Sequence, residues 1–359
     1  MKTKVKLVLS LAIVLLMAGL FEACSSKSDP VVVIDKTALT AAITAATTLQ
    51  TASVEGKAAG QYPAGSKAIL QTAIDAANTV ATNTKSTQTD VSNAVTSLAA
   101  AVAAFQAKVI AEVDPTNLVA YWKFDEGTGT TVGDLSGSAR AGTLTAGHPT
   151  LGGGIPTWTS DRKGTANKAL HFTKGGHIEV PSNAAFNPAA ELSISVWVYL
   201  DSLNTQACAA YGGRCAGGVF KDNYIVSQNS YNGYKFQTQD DKYPFFTYKK
   251  GEGAYTDVAA NTNLKLKNWY HVVVAMKAAS VKFYINGADV SKSDAITGGL
   301  VNLTDRWDFV IGQETPNAKT ANDITYVLPH MEGSLDDIRI YKVALTPTQV
   351  TSIYTMEKP

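Results

Sequence analysis

The spacing of apolar residues changes period once along this chain, near residue 112, and that change constrains the architecture more than any other feature. From Asp35 to Val109 alanine and threonine dominate, and larger apolar side chains recur at helical steps. They run Leu39 and Ile43, then Ile69, Leu70, Ile74, Ala77 and Val80, then Val91, Ala94, Val95, Leu98, Val102 and Phe105. Steps of i, i+3, i+4 and i+7 place side chains on one face of an α-helix. Gly56–Gly65, with Pro63 inside it, and Asn83–Thr87 interrupt the series, so three helices are expected. Ser86 or Thr87 is placed to cap the third, with Asp90 in its first turn. Beyond Asp114-Pro115 the alternation becomes two-residue and the turns rich in Gly and Asn. Strands are expected at Leu118–Phe124, Ala169–Phe172, His177–Val180, Ser193–Leu200, Tyr224–Ser227, Tyr234–Gln237, Tyr270–Lys277, Val281–Ile285, Phe309–Ile311 and Gly333–Tyr341. Asn286-Gly287 marks a tight hairpin, and Thr346-Pro347 opens a last helix running to Tyr354. Many short strands without helices between them imply an antiparallel sandwich. The expected fold is therefore multi-domain: a small all-α three-helix bundle, then an all-β antiparallel sandwich.

The start of the chain reads as an address. Lys2, Lys4 and Lys6 precede an apolar stretch from Leu7 to Phe21. A basic segment, a short apolar run and a small residue before a cleavage point describe a secretory signal. About 15 apolar residues are too few to cross a ~30 Å hydrocarbon core. Leu20-Phe21-Glu22-Ala23-Cys24 resembles a lipobox of the relaxed kind found in Bacteroidetes-type bacteria, and Ser25–Pro30 follows as a polar tether. The resemblance implies cleavage before Cys24, lipidation of Cys24 and anchoring to the outer membrane, at the cell surface or the periplasmic face. Loss of residues 1–23 removes three lysines and Glu22, so 31 basic and 30 acidic residues become 28 and 29. That balance lacks the basic footprint of a nucleic-acid partner. Cys208 and Cys215 are the remaining cysteines and, in an oxidising compartment, candidates for a disulfide.

Two segments carry family resemblances. Tyr62, Leu70, Ala73-Ile74, Ala77, Asn83, Thr87-Gln88, Val91, Ala94, Leu98 and Phe105 resemble the FIVAR module, a small helical domain of bacterial surface proteins. The resemblance implies a spacer, with Tyr62 as an aromatic near its surface. Ala120–Gly129, Asp134–Gly137, Ala169–Phe172, Leu192–Val198, Trp269–Val273 and Gly333–Tyr341 resemble the ordered segments of a laminin-G-like, concanavalin A-type jelly roll. The expected organisation is a signal at 1–23, a tether at 24–34, the bundle at 35–110, a linker at 111–117 and the sandwich at 118–355.

That fold hosts lectins, adhesion modules and glycoside hydrolases, so function must come from the site. Hydrolases of this architecture typically carry Glu-x-Asp-x-x-Glu on one strand, and no such run occurs. Asp336 and Asp337 are adjacent, so a regular strand would send them to opposite faces. His148, His171, His177, His271 and His330 are scattered. A binding protein is expected, not an enzyme. Many laminin-G-like domains hold Ca²⁺, and Asp125 and Asp134 in Gly-rich turns, with Asp336 facing Ile338 and Ile340, are the candidate ligands. For a glycan, the informative segment is Gln228–Tyr255, where aromatic faces alternate with amides and carboxylates, including Asp240 and Asp241. Phe236, Phe245 and Tyr234 are assigned to the core, and Tyr231, Tyr248, Tyr255, Trp307 and Asp308 to an exposed ligand surface. The expected partner is a polysaccharide or glycan, with a protein partner at the cell surface as the alternative.

Overall fold

The protein was studied as a computed structural model that describes residues 33–56, 58–111, 113–147, 152–187, 190–202, 222–239, 242–251, 254–278, 280–292, 306–315 and 330–359. Cys24, His148, Cys208, Cys215, Asp240 and Asp241 lie outside these residues, and so does the expected signal.

Helices α1 (Thr37–Ala52), α2 (Ser66–Thr82) and α3 (Gln88–Gln106) form the expected bundle. Thr87 caps α3 in a reciprocal box: its hydroxyl accepts the Asp90 N–H at 3.2 Å, and the Asp90 carboxylate accepts the Thr87 N–H at 2.8 Å. Leu39, Ala46, Leu70, Ile74, Ala77, Val91, Leu98 and Phe105 close the core. Two expectations change here. Tyr62 is buried, its ring stacked on Phe105 at 4.1 Å, and Ile69 points to solvent with 62% of its surface exposed. Tyr62 thereby joins the core of the bundle.

The β-rich body is two antiparallel sheets packed face to face. The first runs, in spatial order, β14 (Ala288–Asp289), β13 (Ser280–Ile285), β12 (Trp269–Lys277), β7 (Glu191–Leu200), β16 (Gly333–Tyr341), β5 (Ala169–Phe172) and β4 (Thr157–Thr159), with β1 (Leu118–Trp122) paired to β16. The second runs β11 (Ala254–Ala259), β10 (Tyr243–Gly251), β9 (Tyr234–Gln239), β8 (Asn223–Gln228), β15 (Phe309–Ile311), β6 (His177–Val180), β3 (Gly142–Thr145) and β2 (Thr131–Val132). Ile194, Val196 and Val198 of β7 face the other sheet, while Ser193, Ser195 and Trp197 face outward, as alternation requires. Asn286 (φ 51°) and Gly287 (φ 82°) make the two-residue turn between β13 and β14.

Helix α4 (Pro347–Glu357) lies across the outer face of the first sheet, with Val350 and Ile353 packed on Val273, Ala275, Tyr284 and Tyr341. Its end closes a buried ionic network. The Arg162 guanidinium meets Asp336 at 2.5 Å and Asp337 at 2.7 Å, Arg339 meets Glu357 at 2.5 Å, and the Trp197 indole N–H donates to Glu357 at 2.8 Å. A β-bulge makes the double contact of Arg162 possible. Asp336 stands opposite Trp197 and Arg339 opposite Ser195, so β16 carries one extra residue, and Asp337 takes φ 48° to absorb it. The expectation that adjacent aspartates must diverge fails for this reason. Asp336 also faces outward, toward Trp197, rather than sharing the face of Ile338 and Ile340.

The bundle joins the sandwich without slack. Ile110 exchanges backbone hydrogen bonds with Gly60 and Gln61 of the bundle, and the next residue, Ala111, donates its N–H to Ser352 Oγ of α4 at 2.7 Å.

Candidate ligand-binding face

Helix α4 packs on the outer face of the first sheet, and the outer face of the second sheet is the candidate for a ligand. Register assembles that face as one row across all eight strands: Asp257, Thr247, Lys235, Ser227, Val310, Glu179, Thr143 and Thr131. Directly opposed residues of antiparallel strands share a face, so this row points away from the core. Glu179, Thr143 and Thr131 are open to solvent, whereas Thr247, Lys235, Ser227 and Val310 are buried.

Lys235 is the centre of the buried half. Tyr234 and Phe236 flank it and face the core, which forces it outward. Its ammonium meets Glu314 at 2.8 Å, lies 3.3 Å from the Tyr224 hydroxyl and sits 3.7 Å from the centroid of the Tyr231 ring. Burial pulls its pKa down, but the Glu314 carboxylate and Tyr231 together outweigh burial and hold it above the ordinary lysine value. The lysine is therefore charged at neutral pH. Beside it Gln237 donates to Asp222 at 3.2 Å, Thr247 donates to Asp257 at 2.7 Å, and the Ser227 and Thr315 hydroxyls lie 2.7 Å apart.

The turn between β8 and β9 presents Tyr231 over this cluster. Asn229 (φ 55°) and Ser230 (φ 42°) are consecutive left-handed residues, a conformation that costs about 1–2 kcal/mol per residue for an L side chain and that Asn tolerates best. The surroundings over-determine the turn. Asn229 Oδ1 accepts the Trp307 N–H at 2.9 Å, Ser230 N–H donates to Thr315 Oγ1 at 3.2 Å, and Ser230 Oγ donates to Glu314 at 2.5 Å. Tyr231 then meets Tyr255 of β11, with ring centroids 4.7 Å apart and planes at 56°. Both remain open to solvent, at 40% and 50% of their surface.

Of the five expected ligand residues, Tyr231 and Tyr255 come together on the surface. Trp307 is half-buried on the neighbouring segment, its backbone bracketed by Asn229 and Gln228. Asp308 is half-buried and accepts the Ser182 N–H at 2.9 Å, which assigns it to a turn. Tyr248 is a correction: it lies opposite Tyr234 in register and is fully buried in the core. Phe245, expected in the core, lies opposite Gln237 and outside the core cluster. Sequence reading missed Glu314, Thr315 and Ser227, whose partnership with the Lys235 region spans 79 or more positions for Glu314 and has no local signature.

The three aspartates proposed as calcium ligands do not fit that role. Asp134 accepts N–H bonds from Tyr121, Ser136 and Arg140 and a hydroxyl from Ser136. Asp125 is paired with Lys123 and Lys168, and Asp336 with Arg162. Donors and cations occupy the lone pairs a hard cation would need. Among the described residues no group of three His, Cys, Asp or Glu side chains is placed to hold a metal ion.

A family model described as the concanavalin A-like lectin/glucanases superfamily matches residues 172–351, half of the chain. The chain belongs to that superfamily. A second model, of a domain of unknown function, matches residues 35–109, the helical bundle. Mouse usherin is 23% identical over 198 residues, a stretch covering 54% of this superfamily member and 3% of usherin. Among solved structures, domain 4 of an extracellular arabinanase from Geobacillus stearothermophilus, determined with arabinotriose, superimposes with a TM-score of 0.45 at 21% identity, over 66% of this chain and 98% of that one. The binding domain of botulinum neurotoxin DC in complex with SialylT gives a TM-score of 0.43 at 12% identity, over 67% of this chain and 51% of that one.

Proposed function

We propose that this protein is a glycan-binding lipoprotein, tethered through Cys24 outside the cytoplasm, that holds sugar at the Tyr231–Tyr255 corner of its sandwich. One observation carries the reading: two solvent-open tyrosines in contact, presented by a strained turn and seated on a buried ion pair. Sugars offer apolar C–H faces to aromatic rings and hydroxyls to polar neighbours, and a pre-formed aromatic site binds them without ordering its own side chains. Membership of a superfamily named for lectins and glucanases agrees with this reading. The helical bundle, which resembles a FIVAR spacer, would hold the sandwich away from the lipid. Among the described residues no helix is long and apolar enough to cross a membrane; the lipid on Cys24 is the anchor of this reading. A glycan array probed with the folded mature chain tests the proposal. Retention on a defined set of glycans is expected, and a blank array with a cooperatively melting sample would overturn it.

A further inference from the structure

Helix α4 closes only part of the first sheet's outer face. Trp269 of β12, Tyr199 of β7, Ser334 of β16, His171 of β5 and Thr157 of β4 oppose one another in turn, so they form one row across five strands. Their chain neighbours Val198, Leu335 and Leu170 lie in the core, so the row faces outward. Four strand spacings of about 4.8 Å make it roughly 19 Å long. The adjoining row toward α4 holds His271 and Trp197, and both are packed on Tyr354 of the helix.

Hydroxyl groups distinguish the closed part of the face from the open row. In the closed part, Ser193 Oγ donates to the Val343 carbonyl at 2.8 Å, and Ser195 Oγ lies 2.8 Å from His271 Nε2. In the open row Ser334 exposes only 5% of its surface, yet among the described residues its hydroxyl has no hydrogen-bond partner. Buried hydroxyls are ordinarily bonded, and one left without a partner beneath accessible side chains is a group that a ligand can satisfy. The Tyr199 hydroxyl and the Trp269 indole N–H also lack a partner among the described residues. Their rings, both half-buried, meet at 5.5 Å and 51°. On the other side of Ser334, His171 turns Nε2 to Asp201 at 2.6 Å, which leaves Nδ1 for a ligand. Aromatic surface at one end and unmet hydroxyl and imidazole groups beside it suit a chain whose units carry an apolar C–H face and a rim of hydroxyls.

We infer that this row is a second saccharide site, on the opposite sheet from the Tyr231–Tyr255 corner and independent of it, that takes an oligosaccharide laid across the strands. The C–H face of one unit packs on Trp269 and Tyr199, and hydroxyls of the chain bond Ser334 Oγ and His171 Nδ1. Tyr231 and Tyr255 are more open than Trp269 and Tyr199, so the corner holds the tightest glycan and the row a second, weaker set.

An array of soluble oligosaccharides of two to six units tests the inference. It is probed with the mature chain, with the double variant Tyr231→Ala, Tyr255→Ala, and with Trp269→Ala and Ser334→Ala, each first shown to fold by its melt. The double variant is expected to keep a set of glycans, and Trp269→Ala should weaken that set tenfold or more in calorimetry. Ser334→Ala removes a hydroxyl without a protein partner, so it should melt with the native protein and still bind the set at least threefold more weakly. That second variant decides the matter even where Trp269→Ala does not fold. A double variant that retains nothing the native chain binds, or a retained set indifferent to Ser334→Ala and to folded Trp269→Ala, would overturn the row and leave the corner standing. A set that depends on Trp269 and Ser334, beside a tightest glycan indifferent to the double substitution, would support the row and overturn the corner. A blank array with the folded native chain would overturn both.

Discussion

Lys235 projects from the outward face of a sheet yet exposes only 2% of its side chain, with Glu314 at 12%. A buried charge is tolerated when its partner is in place and becomes costly when the partner is removed. Lys235→Met is therefore expected to cost about 3–5 kcal/mol in chemical denaturation, because Glu314 loses its cation. The double variant Lys235→Met, Glu314→Leu should recover much of that loss. A second residue-scale prediction concerns His271, buried against Trp197 and Tyr354, with Nε2 2.8 Å from Ser195 Oγ. Burial, with Arg339 and Arg162 nearby, pulls its pKa from 6.5 down to about 3. The unfolded chain then binds a proton that the folded one refuses between about pH 3 and 6.5, so stability rises with pH through that window. Relative to His271→Gln, the native protein should gain up to about 1.4 kcal/mol per pH unit there. Parallel slopes for the two proteins in denaturation against pH would refute this assignment.

Helix α4 and the second sheet's outer face are separate devices at the scale of elements. Glu357 anchors the end of α4 to Arg339 and Trp197, on the far side of the sandwich from Tyr231. Glu357→Gln should lower stability by about 3 kcal/mol through the weakened partner of a buried arginine. It should leave glycan affinity unchanged, which calorimetry on the variant checks. The same scale explains what was legible beforehand. The bundle, the final helix and ten strands follow from clear periods and from signals such as Thr87, Asn286-Gly287 and Thr346-Pro347. Strand β10 lies within the Gln228–Tyr255 segment whose aromatics suggest a ligand surface, and aromatics occupy both of its faces. Tyr243 and Phe245 point out while Phe246 and Tyr248 point in. With both faces aromatic, a one-residue error of parity swaps every side chain, and so the pattern alone places Tyr248 outside and Phe245 inside, the reverse of the structure. The register with Tyr234 and Phe236 decides it, and register depends on pairing that period alone does not carry. The Asp337 bulge was illegible for a related reason: one extra residue in a strand leaves no mark on composition.

At the scale of the whole molecule, the adjacent bonds of Ile110 to the bundle and Ala111 to α4 turn the linker into a joint. Lipid, tether, bundle and sandwich would then follow one another in series. Cys24→Ser should shift the protein from the membrane fraction to the soluble fraction without changing its melting temperature; fractionation and thermal denaturation check both halves. Persistent membrane association of that variant would contradict the lipid anchor.

The most direct test of the central claim is calorimetric titration of the Tyr231→Ala, Tyr255→Ala variant with the tightest glycan found on the array. Tyr231 packs on the buried Lys235 ammonium, so the melt of the variant is recorded first to show that it folds, and the folded variant should lose at least tenfold in affinity. An equally well folded variant that binds the glycan as tightly as the native chain would contradict the claim that this corner holds the sugar.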